Sequence, residues 1–416
     1  MAILVVNAGS SSVKFTLFGP DGETVWASGI VERIGFDGTR LKYRGREGQP
    51  LERLVLVADA DEAVGTILAA LTDKVHGVIG RIQEIAAVGH RVVHGGETLT
   101  HPTVIDDRVK SVISEYCRLA PLHNPPNLAG IEAGERHLPN AVQVAVFDTA
   151  FHATIPPHAF LYGIPQRYYT EDRIRRYGFH GISHKYVSEE AARFLGLPLT
   201  SLHMITCHLG NGCSMTAIQG GRSVDTSMGF TPLEGLVMGT RCGDIDPAAV
   251  LHLMEHHRLS PASMNELLNK QSGLLALAGI GSNDLRDVIA AADGGNRHAE
   301  QALDIFCYRV RKYIGAFAAA MGGLDVLVFT AGIGENSPVV RRRVCLGFES
   351  AEGFGIELDP QKNALASYQV RAIQAEPSRV KILVVPTNEE LEIARETLQI
   401  LSGRPHRAAS TERYRS

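Results

Sequence analysis

The chain has 416 residues, 44% hydrophobic and 21% charged, a globular composition that excludes a disordered or collagen-like class. That length exceeds one comfortable core, so two domains are expected. With 41 basic and 45 acidic residues the formal charge is −4, so no general basic field exists to hold a nucleic acid backbone, and any anionic substrate must be met locally. Glycine is abundant at 42 residues, which favours tight turns and close ligand approach. The six cysteines are scattered without a C-x-x-C pair, as expected of free thiols in a reducing cytosol. The N-terminus lacks a basic region and its apolar run is too short for a signal peptide or membrane span, so a cytoplasmic protein is expected.

Residues 3–6 are a continuous apolar run, the pattern of a strand buried on both faces, which breaks at Asn7-Ala8-Gly9-Ser10-Ser11-Ser12. Alternation then puts Val13, Phe15 and Leu17 on one face. Gly9 permits a turn, the serines add hydroxyls to the amides, and Lys14 adds charge, which suits phosphate oxygens; an ordinary hairpin is the plainer reading. Residues 21–60 read as a meander extending the hairpin. A helix is predicted near 63–76 and a strand at 85–88, ending in Gly89-His90-Arg91-Val92-Val93-His94-Gly95-Gly96-Glu97. A helix near 104–117 precedes a loop at 120–127 stiffened by Pro121, Pro125 and Pro126. The strand at 141–147 stops on Asp148, and ligands gather at the carboxyl ends of strands in α/β sheets, although a helix N-cap is the alternative.

Residues 201–218 repeat the opening pattern: a strand, a Gly-Asn-Gly turn with a serine, and an alternating strand. This predicts an internal repeat of architecture, each half bringing a phosphate-cradling hairpin to a shared cleft. Residues 227–247 form a long glycine-rich loop that holds Arg241 and is too apolar for disorder. Leu303, Phe306, Val310, Tyr313, Ile314 and Phe317 fall at helical spacing and read as core. The apolar region 314–333 is broken by Gly322, Gly323 and Asp325, hence a helix followed by a strand at 326–330. A strand at 382–385 leads to an amphipathic helix at 388–401 with Leu391, Ala394, Leu398 and Leu401 on one face. From Ser402 the chain is polar and expected to fray.

The absence of G-x-x-x-x-G-K-[ST] and G-x-G-x-x-G argues against a P-loop nucleotidase and a Rossmann dehydrogenase. Five turns at strand ends, residues 7–12, 208–212, 283–286, 332–336 and 388–390, are expected to hold a nucleoside triphosphate in the hairpin manner. Arg91 and Arg241 could clamp a carboxylate or a transferring phosphoryl group, though a structural salt bridge is the plainer reading of either alone. The pairs His90/His94 and His180/His184 have zinc-like spacing, but H-E-x-x-H is absent and glycines interrupt any helix. His180 is better cast as a donor to phosphoryl oxygens and His123 as a pocket histidine. Mg²⁺ is the expected metal, held by Asp148 and Glu389 with Glu390 as an adjacent competitor.

The segments VVNAGSSSVKF, GHRVVHGGE, APLHNPPN, FDTAFH, YGFHGISH, CHLGNGCSMTAI, DTSMGFTPLEGLVMGTRCGDIDP, FTAGIGENS and PTNEELEIARET resemble the acetate and butyrate kinase family, in register from residue 3 to about 400. The resemblance implies an α/β fold of two duplicated ribonuclease H-like, or actin-like ATPase, domains with a nucleotide cleft between them. The first would comprise residues 1–150 plus 386–416, and the second, 151–385, would carry nucleotide binding and the dimer interface. The implied activity is reversible, Mg²⁺-dependent, in-line phosphoryl transfer between ATP and acetate, giving ADP and acetyl phosphate; a propionate or butyrate kinase of the same family is the alternative. Mn²⁺ could replace Mg²⁺. A homodimer is implied, with neither nucleic acid nor membrane as partner.

Carried onto this chain, Arg91 and Arg241 would orient the carboxylate and stabilise the transition state with His180. Asn7, Asp148 and Glu389 would serve the metal. Asp148 is better read as orienting acetate or Mg²⁺ than as a base, because a carboxylic acid with a pKa of about 4.3, as for glutamate, is already ionised at neutral pH. Val93, Leu122, His123, Phe179 and Pro232 would join Arg91 in the substrate pocket, where valine at 93 suggests a small pocket favouring acetate. The nucleotide would meet Ser10, Ser12, Lys14, His208, Leu209, Gly210, Asn211, Gly212, Asp284, Leu285, Arg286, Gly332, Ile333, Gly334, Glu335 and Asn336. Cys213 and Cys242 depart from the family expectation of serine or alanine and raise the question of oxidation sensitivity. A nucleotide-switched interaction protein is a rival reading that would need an appended peptide-binding domain or a polymer interface, and a sugar kinase one that would need a base for a hydroxyl.

Overall fold

The computed structural model describes residues 1–46, 48, 50–121, 123–349 and 354–403, so Leu122 and the tail expected to fray beyond Gly403 lie outside the described residues. The chain divides into two units, Met1–Ala153 with Asn388–Ser416, and Thr154–Thr387.

In the first unit the opening apolar run is β1 (Ala2–Ala8), paired antiparallel with β2 (Ser12–Phe18) so that Asn7 stands opposite Lys14. The meander continues through β3 (Val25–Glu32), β4 (Arg40–Gly45) and β5 (Leu51–Leu54). On the other side of β1 lie β6 (Ile85–Val92), the short β7 (Thr103–Val104) and β8 (Val142–Phe147). The sheet order is β5-β4-β3-β2-β1-β6-β8-β7, with β1, β6 and β8 running parallel.

Successive residues of a strand point to opposite faces, and this decides what each strand end can do. Leu4, Val6 and Ala8 share a core with Ala133 of the helix Asn124–His137. Gly89 points the other way, toward the helix Glu389–Leu401, where a Cβ would lie 2.5 Å from Thr397 Oγ1 and 2.7 Å from Ile393 Cγ2. Only a glycine allows that approach. His90 therefore turns back to the first face, where its Nε2 lies 2.8 Å from Gln143 Oε1, and Arg91 returns to the face of Gly89.

Two local expectations are corrected. The predicted loop at 120–127 becomes helical at Asn124, because Pro125 and Pro126 occupy the first turn, where an amide donor has no partner to lose. The C-terminal helix does not bury the stripe Leu391, Ala394, Leu398 and Leu401: it buries Ile393, Ala394 and Thr397 with Glu392 and Glu396, and leaves Leu401 37% exposed. The polar residues on the inward face hide it from a hydropathy reading.

The second unit contains β9 (His203–Leu209), β10 (Cys213–Gln219), β11 (Arg222–Thr226), β12 (Val326–Thr330), β13 (Arg371–Ala372) and β14 (Lys381–Val384). Their order, β11-β10-β9-β12-β14-β13, repeats β3-β2-β1-β6-β8-β7 strand for strand, with the same parallel and antiparallel pairings. The helix Arg297–Met321 buries Leu303, Phe306, Val310, Ile314 and Phe317, while Tyr313 leaves that stripe to donate its hydroxyl to Asp244 Oδ2 at 3.0 Å. Among the described residues no helix is long and apolar enough to cross a membrane, and all six cysteines are free.

Burial pushes the His90 imidazole down to about 4 from its ordinary 6.5, against the opposing effect of its bond to Gln143. Between those values the unfolded chain binds the extra proton and the folded chain does not. Stability from this group is therefore complete above about pH 6.5 and falls as the pH drops toward 4, by about 3 kcal/mol in all. Urea midpoints measured from pH 7.5 to 4.5 should fall less steeply for His90→Gln than for the parent; parallel curves would refute a neutral buried His90.

Candidate active site

Three neighbouring parallel strands each deliver one polar residue to the same end of the first sheet: Asn7 from β1, Arg91 from β6, and Asp148 just after β8. Arg91 lies beside Val146 in the β6–β8 register, and Asp148 N donates to Val92 O at 3.0 Å. Alternation puts Asn7, opposite in sense to Val6 and Ala8, on the face that carries Arg91. The Arg91 guanidinium donates through Nη2 to Asp148 Oδ2, and its Nε lies 3.3 Å from Glu389 Oε2. The neighbouring Glu390 instead pairs with Lys14, at 3.4 Å. Adjacent acids in one helical turn are thus divided between two cations.

Asp148 is 1% exposed. Burial pushes its carboxyl up from the usual range, Arg91 opposes that, and the charge of Glu389 reinforces it. Burial also pulls on Arg91, but Asp148, Glu389 and Glu390 more than offset it and hold the guanidinium in its charged form. Among the described residues Asp148 Oδ1 is buried without a hydrogen-bond partner. A buried carboxylate oxygen left in that state is costly, and with Glu389 on the same guanidinium and Asn7 on the same face of the sheet it offers oxygen donors of the hard kind that suits Mg²⁺.

Two residues that the sequence reading passed over hold this end together. Asn127 Nδ2 donates to Ala8 O at 2.7 Å and its Oδ1 accepts from Val93 N at 3.0 Å. Asn124 accepts from His94 N at 3.1 Å and donates to His94 O at 3.0 Å. Their three-residue spacing on one helix face was the available signal. Val93 is buried, Ser10 is exposed, Ser12 and His123 are half-buried, and the turn closes through Gly9 N to Ser12 O at 2.8 Å.

In the second unit His180 caps the helix Gly181–Leu195 with φ 56° and ψ 25°, a left-handed conformation that costs of order 1–3 kcal/mol for a residue with a side chain. Its ring stacks on His208, centroids 4.2 Å apart, and its Nδ1 lies 2.9 Å from Ser214 Oγ. A Cβ placed on Gly212 would lie 3.6 Å from both His180 Nε2 and Arg241 Nη1, so both cationic or donor groups converge there. Arg241 Nη1 donates to Pro232 O at 3.2 Å, and among the described residues Arg241 has no ion-pair partner. Phe179 is buried.

A cavity of about 710 Å³ is lined by Gly210, Asn211, Asp284, Leu285, Arg286, Gly332, Ile333 and Asn336 of the predicted nucleotide set, with Gly239, Leu274, Asn283, Ile289, Ser337, Pro338 and Val339 added. Asn283 Nδ2 donates to Asn211 Oδ1 at 2.8 Å, and Gly239 N to Asn211 O at 3.0 Å. His208, Leu209, Gly212, Gly334 and Glu335 stand outside this lining. Leu209 and Gly334 are buried, and Glu335 Oε1 instead accepts from Thr387 N at 3.0 Å. Of the five turns expected at strand ends, only 7–12 and 208–212 join two strands. Residues 283–286 and 388–390 open the helices Leu285–Asp293 and Glu389–Leu401, and 332–336 lie in the short helix Ala331–Asn336. Helix N-termini present free amides, so the same phosphate logic is met by different backbone.

Among the described residues no group of three or more histidine, cysteine or acidic side chains is placed to hold a metal by itself. Burial pushes the Cys213 thiol up to about 12 and raises that of Cys242, so neither is poised as a reactive thiolate.

Residues 2–395 match the model of the acetokinase family. The acetate kinase of Thermotoga maritima is 53% identical over 403 residues, covering 96% of this chain and 99% of its own length. That of Dictyoglomus turgidum is 51% identical over 402 residues, 96% and 98%. The crystal structure of Porphyromonas gingivalis acetate kinase superposes with a TM-score of 0.91 at 44% identity, covering 96% of this chain and 99% of the other. A propionate kinase from Francisella tularensis gives 0.87 at 39% identity, 95% and 98%. With near-complete coverage in sequence and in fold, the chain belongs to the acetokinase family.

Proposed function

We propose that this chain is an acetate kinase, transferring a phosphoryl group reversibly between ATP and acetate to give ADP and acetyl phosphate. The observation that carries the reading is the Arg91 guanidinium held between buried Asp148 and Glu389 at the end of the first sheet. Acetate arrives already ionised, so the chain has to orient a carboxylate and neutralise charge on the equatorial phosphoryl oxygens, and needs no base. Arg91 orients the carboxylate. Arg241, buried enough that desolvation pulls its pKa down yet still a cation, meets phosphoryl charge together with His180.

Asn7, Asp148 and Glu389 would hold Mg²⁺, or Mn²⁺ in its place, and the bound ion supplies charge neutralisation on the ATP phosphates. The pairing of Glu390 with Lys14 supports Glu389 as the acid for that role. The cavity around Asn211 and Arg286 takes the nucleotide, with Ser10, Ser12 and Lys14 as phosphate contacts. Val93, Phe179 and Pro232 border the acetate methyl. Homodimeric assembly, cytoplasmic residence, and functional domains of 1–150 with 386–416 and of 151–385 belong to the same reading.

A hydroxamate trap run with pure protein, ATP, Mg²⁺ and acetate should yield acyl hydroxamate; no product would sink the reading. Arg91→Ala and Arg241→Ala should each lower kcat by roughly 10²–10³-fold, while displacement of a fluorescent nucleotide changes little. Near-normal turnover in either would make that arginine structural. Acetate should exceed propionate in kcat/KM by roughly ten-fold to two-hundred-fold, the range one methylene commands. Val93→Ala should shrink that ratio, and an unchanged ratio would remove Val93 from the pocket.

A further inference from the structure

Behind His180 lies a row of buried hydroxyls and imidazoles that phosphoryl transfer does not itself require. Thr206 Oγ1 lies 2.7 Å from His184 Nδ1, His184 Nε2 lies 2.7 Å from Ser214 Oγ, and Ser214 Oγ lies 2.9 Å from His180 Nδ1. Thr206, His184 and Ser214 are fully buried. We infer that this row is a one-way hydrogen-bond chain that fixes His180 as its Nε2–H tautomer, making Thr206, His184 and Ser214 positioning residues for the proposed transfer.

The direction of the chain follows from a count of hydrogens. Thr206 and Ser214 each have one hydroxyl hydrogen, and their hydroxyls face only these imidazoles among the described residues. A neutral imidazole donates from one nitrogen and accepts at the other. If Thr206 donates to His184 Nδ1, then His184 Nε2–H donates to Ser214, and Ser214 donates to His180 Nδ1. Every hydrogen inside the row then has an acceptor, and the His180 Nε2–H is left outside it. In the reverse direction His184 Nδ1–H donates to Thr206, whose own hydrogen is stranded in the core. If both imidazoles donate to Ser214, the Ser214 hydrogen is stranded instead. Burial makes a stranded hydroxyl unfavourable, so the first arrangement wins.

The consequence falls on Nε2, the atom that converges with Arg241 at Gly212. Bearing the proton, it donates to an anionic oxygen there and cannot serve as a base. The inference rests on the proposed reaction for its catalytic meaning, but the tautomer itself belongs to the free protein. The ring of His180 is further restrained by stacking on His208, whose Nδ1 lies 2.8 Å from Ser183 Oγ.

Neutron diffraction from crystals of the full chain in D₂O at neutral pD should show deuterium on His180 Nε2, none on Nδ1, and the Ser214 deuteron directed at His180. Ser214→Ala should lower kcat roughly ten- to hundredfold with KM for ATP within about twofold, the pattern of a lost transition-state contact. Thr206→Val, which keeps the shape, should share the direction of the loss, and Thr206→Ser should restore turnover. A deuteron on Nδ1 of His180 overturns the assignment. Unchanged kcat in both Ser214→Ala and Thr206→Val, with normal hydroxamate yield, overturns the role of the chain and leaves the proposed reaction standing. Absence of hydroxamate from the parent enzyme fails the reaction, while the neutron map still decides the tautomer.

Discussion

The Arg91–Asp148 contact is the interaction on which the first unit's chemistry depends. A carboxylate 1% exposed is tolerable as an anion only beside a cation, and removing either member of such a pair typically costs about 3–5 kcal/mol through the charge left behind. The pair exists because β6 and β8 are parallel neighbours in a register that sets Arg91 beside Val146. Glu389 joins them from the far end of the chain, and it can do so because Gly89 has no Cβ to hold the helix Glu389–Leu401 off the sheet. One missing side chain, two positions before the arginine, thereby sets where the second carboxylate stands.

The two units share a topology but use it differently. In the first, the ends of three parallel strands carry Asn7, Arg91 and Asp148, so the sheet edge is a cluster of charge and oxygen donors. In the second, the equivalent ends of β9 and β12 run into Gly210-Asn211-Gly212 and into the helix Ala331–Asn336, whose first residue has φ 62°. Those ends supply backbone amides and space in place of charge. Duplication supplied the frame, and the few residues past each strand end supplied the chemistry.

Much of this was legible in the sequence because it is local. The apolar run of β1, the alternation of Val13, Phe15 and Leu17, and the stripe from Leu303 to Phe317 each betray their structure within a few residues, and the recurrence at 201–218 correctly signalled a repeated architecture. What escaped were features whose meaning depends on a distant partner. The buried face of Glu389–Leu401 is set by the sheet it packs on, so glutamates and a threonine point inward where hydropathy favoured leucines. Residues 283–286 look like a turn by composition, and only the residues after them show that they begin a helix. Asn124 and Asn127 looked like loop residues because their partners are backbone groups far away in the chain, at Ala8, Val93 and His94.

The long loop at 227–246 gives the clearest case of order imposed from outside. It has almost no ladder of its own, yet backbone polar groups cannot be buried without partners. Arg176 provides them: Nη1 faces the carbonyls of Thr226, Ser227 and Met228 at 2.8–3.2 Å, while Nη2 donates to Glu234 Oε1 at 2.6 Å. Tyr162 donates to the other oxygen of Glu234 and accepts from Phe230 N, and Asp244 closes the loop on Gly235 N and Tyr313. Burial opposes the charge on Arg176, but Glu234 and the nearby Tyr162 and Asp225 raise its pKa on balance, so the clamp is a cation at any physiological pH. Arg241 sits inside this clamped segment and is bonded to the carbonyl of Pro232 within it. Its position is therefore fixed by an arginine that touches no substrate group in the proposed reaction, and the order that the loop's apolar content led one to expect is imposed by these side-chain clamps.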